Sequence, residues 1–181
     1  MNSRAVPPIS RAVSGTGLDN RDLTEMCAPN VTEAELPARS LLGDRIVSGD
    51  FVDCYSVASD ASPRRAAEII TDFPGWARFL MRVRGILTVP FGLSNDGPEA
   101  EDKLGVFPVE ADTENELIAG FNDRHLDFRI SVLSRKGRVY LATWVHPHNI
   151  GGRFYLKAIL PFHVLIARNA LRRVAGAPTR A

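Results

Sequence analysis

NDRHLDFRISVLSRKGRVYLATWVHPHNIGGRFYLKAILPF, residues Asn122–Phe162, reads as a β-hairpin running directly into a long apolar helix. Leu126, Phe128, Ile130 and Val132 alternate with His125, Asp127, Arg129 and Ser131, the period of two expected of a strand with unlike faces. The second run, Arg138–His146, is rich in β-branched and aromatic residues, as strands are. Between them, Lys136-Gly137 suits a two-residue turn, because such turns need positive φ and glycine adopts it readily. That turn sets the register: Asp127 opposite His146, Phe128 opposite Val145, Arg129 opposite Trp144. One face then carries Leu126, Phe128, Ile130, Val132, Val139, Leu141, Thr143 and Val145, and is the core face. The other carries His125, Asp127, Arg129, Ser131, Tyr140, Ala142, Trp144 and His146. It is expected to be a solvated outer face, with Asp127 paired to His146 and Arg129 stacked on Trp144. A slip of one residue would scramble this sorting, so the pattern specifies the register.

Pro147 cannot continue a central strand. Asn149 is a sound helix N-cap, and Gly151-Gly152 permits a tight start. From Phe154 to Ala167 apolar residues fall on nearly every side, the pattern of a helix covered on more than one side. Pro161 removes the backbone bond to the carbonyl of Lys157 and predicts a kink. Arg153, Lys157 and His163 interrupt the run, which falls short of the ~20 clean apolar residues of a membrane span. No membrane span is expected.

Working outward, no aromatic residue occurs before Phe51, and the first ~35 residues are rich in Pro, Ser, Gly and Asn without periodicity. Residues 1–35 are expected to form a disordered tail, 36–175 a single domain and 176–181 a flexible end, with a short turn of structure over Glu33–Leu42. Phe51–Val57 alternates as the first strand, with Phe51, Asp53, Tyr55 and Val57 on one side. Ser62-Pro63 is an N-cap followed by the first helical position, and Ala66, Ile69, Ile70 and Phe73 give a helical stripe. After Pro74-Gly75 a second amphipathic helix is expected, with Trp76, Phe79, Leu80, Val83, Ile86 and Leu87 on one face and Arg78, Arg82 and Arg84 opposite. Thr88–Leu93 reads as extended and Asn95–Lys103 as an acidic loop. Leu104–Glu110 and Glu116–Phe121 read as strands joined by Ala111–Asn115. Strand, two helices, antiparallel strands and a long helix make an α+β chain: a curled antiparallel sheet gripping a C-terminal helix, the helix-grip architecture of START-like domains.

The composition is that of a globular protein with a formal net charge of +1. That balance hides an asymmetry, since no Asp or Glu follows Asp127 while ten Lys or Arg do. Complementarity within one fold accounts for it; a basic face including Arg168, Arg172 and Arg173 meeting an anionic partner is the sharper reading. Cys27 and Cys54 show neither metal spacing nor a disulfide framework, which fits a reducing cytosol, and no apolar signal region precedes the domain. A cytoplasmic location is expected. The chain carries no GxSxG elbow, no Walker GK[ST] and no GxGxxG, and Gly15 and Gly17 lie in the tail without a flanking strand.

Four blocks in order, PGWARFLMRVRGILTVPFGL (74–93), FPV (107–109), NDRHLDFRISVL (122–133) and HNIGGRFYLKAILPFHVLI (148–166), resemble the bacterial family called domain of unknown function 2867. The likeness runs from about Leu36 to Val174. It implies a START/Bet v 1-like architecture, and some relatives look fused to short-chain-dehydrogenase-like nucleotide-binding domains. The family has no assigned reaction, so no catalytic residue carries over.

Three functions compete. A small-molecule-binding module would hold an apolar ligand between sheet and final helix, with Trp76, Phe79, Phe128, Phe154, Leu160 and His163 as pocket candidates. An enzyme would use Asp127, His146, His125 and Arg129, a carboxylate tuning an imidazole near neutral pH. An interaction module would dimerise through the Tyr140/Trp144 face or dock its basic end. His125, His146 and His148 match no common zinc spacing, so no metal is expected, and neither a cofactor nor a nucleic-acid partner is.

Overall fold

The computed structural model describes residues 30–79 and 98–178. Among them, seven strands form one open antiparallel sheet. They are β1 (Thr32–Glu33), β2 (Phe51–Ala58), β3 (Lys103–Leu104), β4 (Phe107–Asp112), β5 (Glu116–Asn122), β6 (Leu126–Arg135) and β7 (Arg138–Pro147), in the spatial order β1-β2-β7-β6-β5-β4-β3. Helix α1 (Pro63–Thr71) and the 27-residue helix α2 (Ile150–Gly176) pack on one face. The arrangement is α+β and fits a helix grip.

The hairpin β6–β7 forms in the expected register, with Asp127 opposite His146, Phe128 opposite Val145 and Arg129 opposite Trp144. Lys136 and Gly137 make its turn at φ 51° and 71°. The helix starts follow their sequence signals. Ser62 accepts a hydrogen bond from the Arg65 amide with Pro63 at the first helical position, and Asn149 Oδ1 accepts one from the Gly152 amide at 2.9 Å. Gly152 is required there for a second reason: a Cβ would run into the carbonyl of His125. Val57, Leu117, Val132 and Val139 from the sheet meet Ala66 and Ala67 of α1 and Leu171 and Val174 of α2, each almost fully buried.

The opposite face is not solvated, contrary to the expectation from its polar residues. Residues 34–50 cross it as a strap, held by the Ala34 amide on the Cys54 carbonyl. Leu42, Cys54, Ile118, Ala142 and Trp144 form a second small core there, with Ala34, Leu36 and Tyr140 packed against it. The Tyr140/Trp144 face offered as a dimer contact therefore lies under the chain's own strap, with Trp144 only 7% exposed. A buried carboxylate fastens the strap. Glu116 accepts hydrogen bonds from Ser40 Oγ (2.6 Å), Ser131 Oγ (2.5 Å) and the Leu41 amide (2.8 Å).

One further difference concerns a boundary. Thr32–Glu33, inside the stretch expected as tail, pairs with β2. Of the second amphipathic helix, residues 75–79 are helical. Its continuation through Leu80, Arg82, Val83, Arg84, Ile86 and Leu87, the extended Thr88–Leu93, and Cys27 lie outside the described residues.

Candidate functional site

The alternation of β2 sends Phe51, Asp53, Tyr55 and Val57 toward α2, so a carboxylate sits on an otherwise apolar face. His163 meets it from α2, with Nε2 3.0 Å from Asp53 Oδ2. Both groups are largely enclosed, with side chains 23% and 11% exposed for His163 and Asp53. Phe51 sets its ring edge-on to the imidazole, centroids 6.4 Å apart at 85°. Asp53 Oδ1 is buried and has no hydrogen-bond partner among the described residues. Beside it, the guanidinium of Arg168 lies 5.3 Å above the Tyr55 ring. Burial, followed by the negative charge of Asp53, raises the Tyr55 phenol above its ordinary value. The same two causes push the Cys54 thiol up to about 12, so it stays protonated as an inert core residue. A carboxylate that fixes one imidazole nitrogen leaves the other to exchange a hydrogen bond or a proton with a bound group.

The sequence candidates on the hairpin divide into separate contacts. His146 Nδ1 contacts Asp50 Oδ1 of the strap at 2.6 Å, and Trp144 Nε1 donates to Asp50 Oδ2, also at 2.6 Å. Asp127 faces His146 across the ladder, yet its carboxylate lies 3.0 Å from His148 Nε2. The expected Asp127–His146 pair is replaced because the strap brings a second carboxylate to the imidazole. Arg129 is buried and reaches Glu110 at 2.6 Å, Asn122 at 2.7 Å and the Phe128 carbonyl at 2.7 Å. It turns to these acceptors in place of the expected stacking on Trp144, and Gly120 leaves it room, since a Cβ there would come within 2.8 Å of Arg129 Cδ. His125 Nδ1 sits 3.0 Å from Asn149 Nδ2, at the start of α2.

Two pKa shifts mark this end of the sheet. Burial pushes the Asp50 carboxyl up, but the Val47 amide, His146 and Trp144 outweigh it and hold it below the usual aspartate value. Burial pushes His148 down, while its contact with Asp127 and the Arg124 carbonyl outweighs that and holds it above the usual histidine value.

The pocket candidates fall into two groups. Leu160 and His163 are half-buried, and Phe128 packs against the inner core. Phe154 is 70% exposed, Phe79 63% and Trp76 39%. Along α2 the packing changes abruptly: between Gly152 and Ala167 no residue is buried, whereas Ala167, Ala170, Leu171 and Val174 are. Two surface concavities lined by described residues lie elsewhere, one beside Glu99–Lys103 and one of about 390 Å³ bounded by Arg39, Leu41, Glu116 and Leu133.

The charge asymmetry is partly internal. Arg129, beyond the last acid, pairs with Glu110 at 2.6 Å, and Arg173 donates to the Asp72 carbonyl at the end of α1. Sequence reasoning missed Asp50, Asp53, Tyr55 and Glu116 as partners. Only Asp53 left a signal, an acid placed in register with Phe51, Tyr55 and Val57.

No curated protein and no solved structure matches the chain. The family described as protein of unknown function (DUF2867) matches residues 46–170, which spans β2 to β7, α1, α2 as far as Ala170 and the Asp53–His163 contact. The chain belongs to that family.

Proposed function

We propose that the protein binds an amphipathic small molecule between the sheet and the first half of α2, with the polar group of the ligand on Asp53 and His163. The observation that carries this reading is the largely enclosed Asp53–His163 pair on an otherwise apolar face, whose Asp53 Oδ1 is buried with no hydrogen-bond partner among the described residues. A buried polar atom without a partner costs roughly 1–3 kcal/mol, and a hydroxyl or amine on a ligand removes that cost. Leu156, Ile159 and Leu160 of α2 support it, being apolar and only half-buried, so they retain surface to give to a ligand. Phe51, Phe128 and Leu160 would meet the apolar body and Asp53 and His163 would orient it.

Native mass spectrometry of the purified full chain, followed by organic extraction, tests the reading. The expected result is a co-purifying molecule with an apolar body and one hydrogen-bonding group, retained by the parent and lost from His163→Phe, which keeps the ring volume and removes the polar atoms. A bare mass, with no uptake of a fluorescent amphiphile by folded protein, overturns it.

A further inference from the structure

The side of α2 that points away from the sheet carries a different surface. Helical spacing brings Ile150, Phe154, Pro161 and Leu165 into one stripe with Phe162 at its edge. Ile150 is 72% exposed, Phe154 70%, Leu165 53% and Phe162 51%. Lys157 and Arg172 are exposed on the same stripe, and Arg153 flanks it. No acid lies anywhere on this helix, nor after Asp127 in the chain. The surface is thus apolar with cations at its margins and no counter-charge of its own.

Charge decides the occupant. A second copy docking by the same stripe would set Lys157 and Arg153 against their own likenesses with no carboxylate to pair them. A nucleic acid would satisfy the cations and leave the exposed aromatic and aliphatic side chains without a partner. An anionic bilayer satisfies both at once: acyl chains receive the apolar side chains, and headgroup phosphates receive the bases. Length and composition alone would let α2 cross a membrane, with a mean hydropathy of 1.3 over its most apolar window. Spanning would, however, strip Ala167, Ala170, Leu171 and Val174 from the core. We propose that α2 lies on an anionic lipid surface, with Ile150, Phe154, Phe162 and Leu165 at the acyl boundary and Arg153, Lys157 and Arg172 at the headgroups. This surface is separate from the ligand reading, since it uses the opposite side of the helix.

The test is flotation of the full chain with phosphatidylcholine vesicles, with and without phosphatidylglycerol. Binding is expected to need phosphatidylglycerol and to weaken several-fold as salt rises. Phe154→Ser with Phe162→Ser should lower partitioning about a hundredfold, from the apolar area withdrawn. Lys157→Gln should lower it about fivefold, and only on anionic vesicles. The thermal unfolding of each variant should match the parent, because the altered side chains are exposed. Four results would overturn the proposal: no binding at low salt, unchanged binding by the double variant, a parent dimer that the double variant splits, or marked destabilisation of that variant, which would mean the stripe is covered by the chain itself.

Discussion

The two faces of the sheet are built from the same strands by different means. The inner face meets two helices and is filled by large aliphatic side chains in register. The outer face meets a strap whose regular structure is a single 3-10 turn, Gly43–Arg45, and its small core of Leu42, Ile118 and Trp144 is supplemented by polar anchors, Glu116 and Asp50. A helix delivers an apolar stripe as a rigid body, so apolar contact is sufficient to hold it. A strap has unpaired backbone groups to satisfy, and buried carboxylates do so while fixing where it lies.

Substitutions on the two faces test this contrast. Leu171→Ala opens a void where α2 enters the inner core and should cost about 4 kcal/mol, read by chemical denaturation. Glu116→Ala strands two hydroxyls and a backbone amide on the outer face and should cost about 3 kcal/mol. Its loss should be seen first as faster hydrogen exchange in the strap. Leu42→Ala should cost about 2 kcal/mol, because an irregular strap relaxes into the space more easily than a helix does. Equal costs for Leu171→Ala and Leu42→Ala would mean that the strap is as rigid as the helix.

The smallest effect is the pH response, and it too belongs to the outer end of the sheet. The Asp50 pKa is depressed in the fold, so its contribution is present above the ordinary aspartate value of 3.8 and is lost as pH falls through the lowered one. The His148 pKa is raised, so its contribution is present below the ordinary histidine value of 6.5 and is lost as pH rises through the raised one. Both contributions are in force together between those ordinary values. A melting-temperature profile should therefore show a mildly acidic maximum whose acid limb flattens in Asp50→Asn and whose alkaline limb flattens in His148→Gln.

The hairpin was legible because every local signal agreed: the alternation, the Lys136-Gly137 turn, and the proline and asparagine that end one element and begin the next. Alternation separates the two faces of a strand but does not say what covers each. Ser131, Ala142 and Arg129 look like a wetted surface when read alone, and residues 34–50 carry no period to announce a cover. Asp50 was invisible as a partner for His146 for that reason, since the contact spans 96 positions and follows from no spacing. His163 was legible as a polar interruption in an apolar helix. Its partner was visible only as an acid on the wrong side of a strand, which names a residue worth pairing without saying with what.

The sheet ends on both sides in strands of two residues, Thr32–Glu33 and Lys103–Leu104. So short an edge offers hardly any free backbone for another strand to add to, and each carries a charge that a stacked copy would have to confront. An open sheet is usually the part of a protein most at risk of growing into a fibre. Here that risk is blunted at both ends, so concentrated solutions should resist strand-to-strand aggregation even though the sheet never closes on itself.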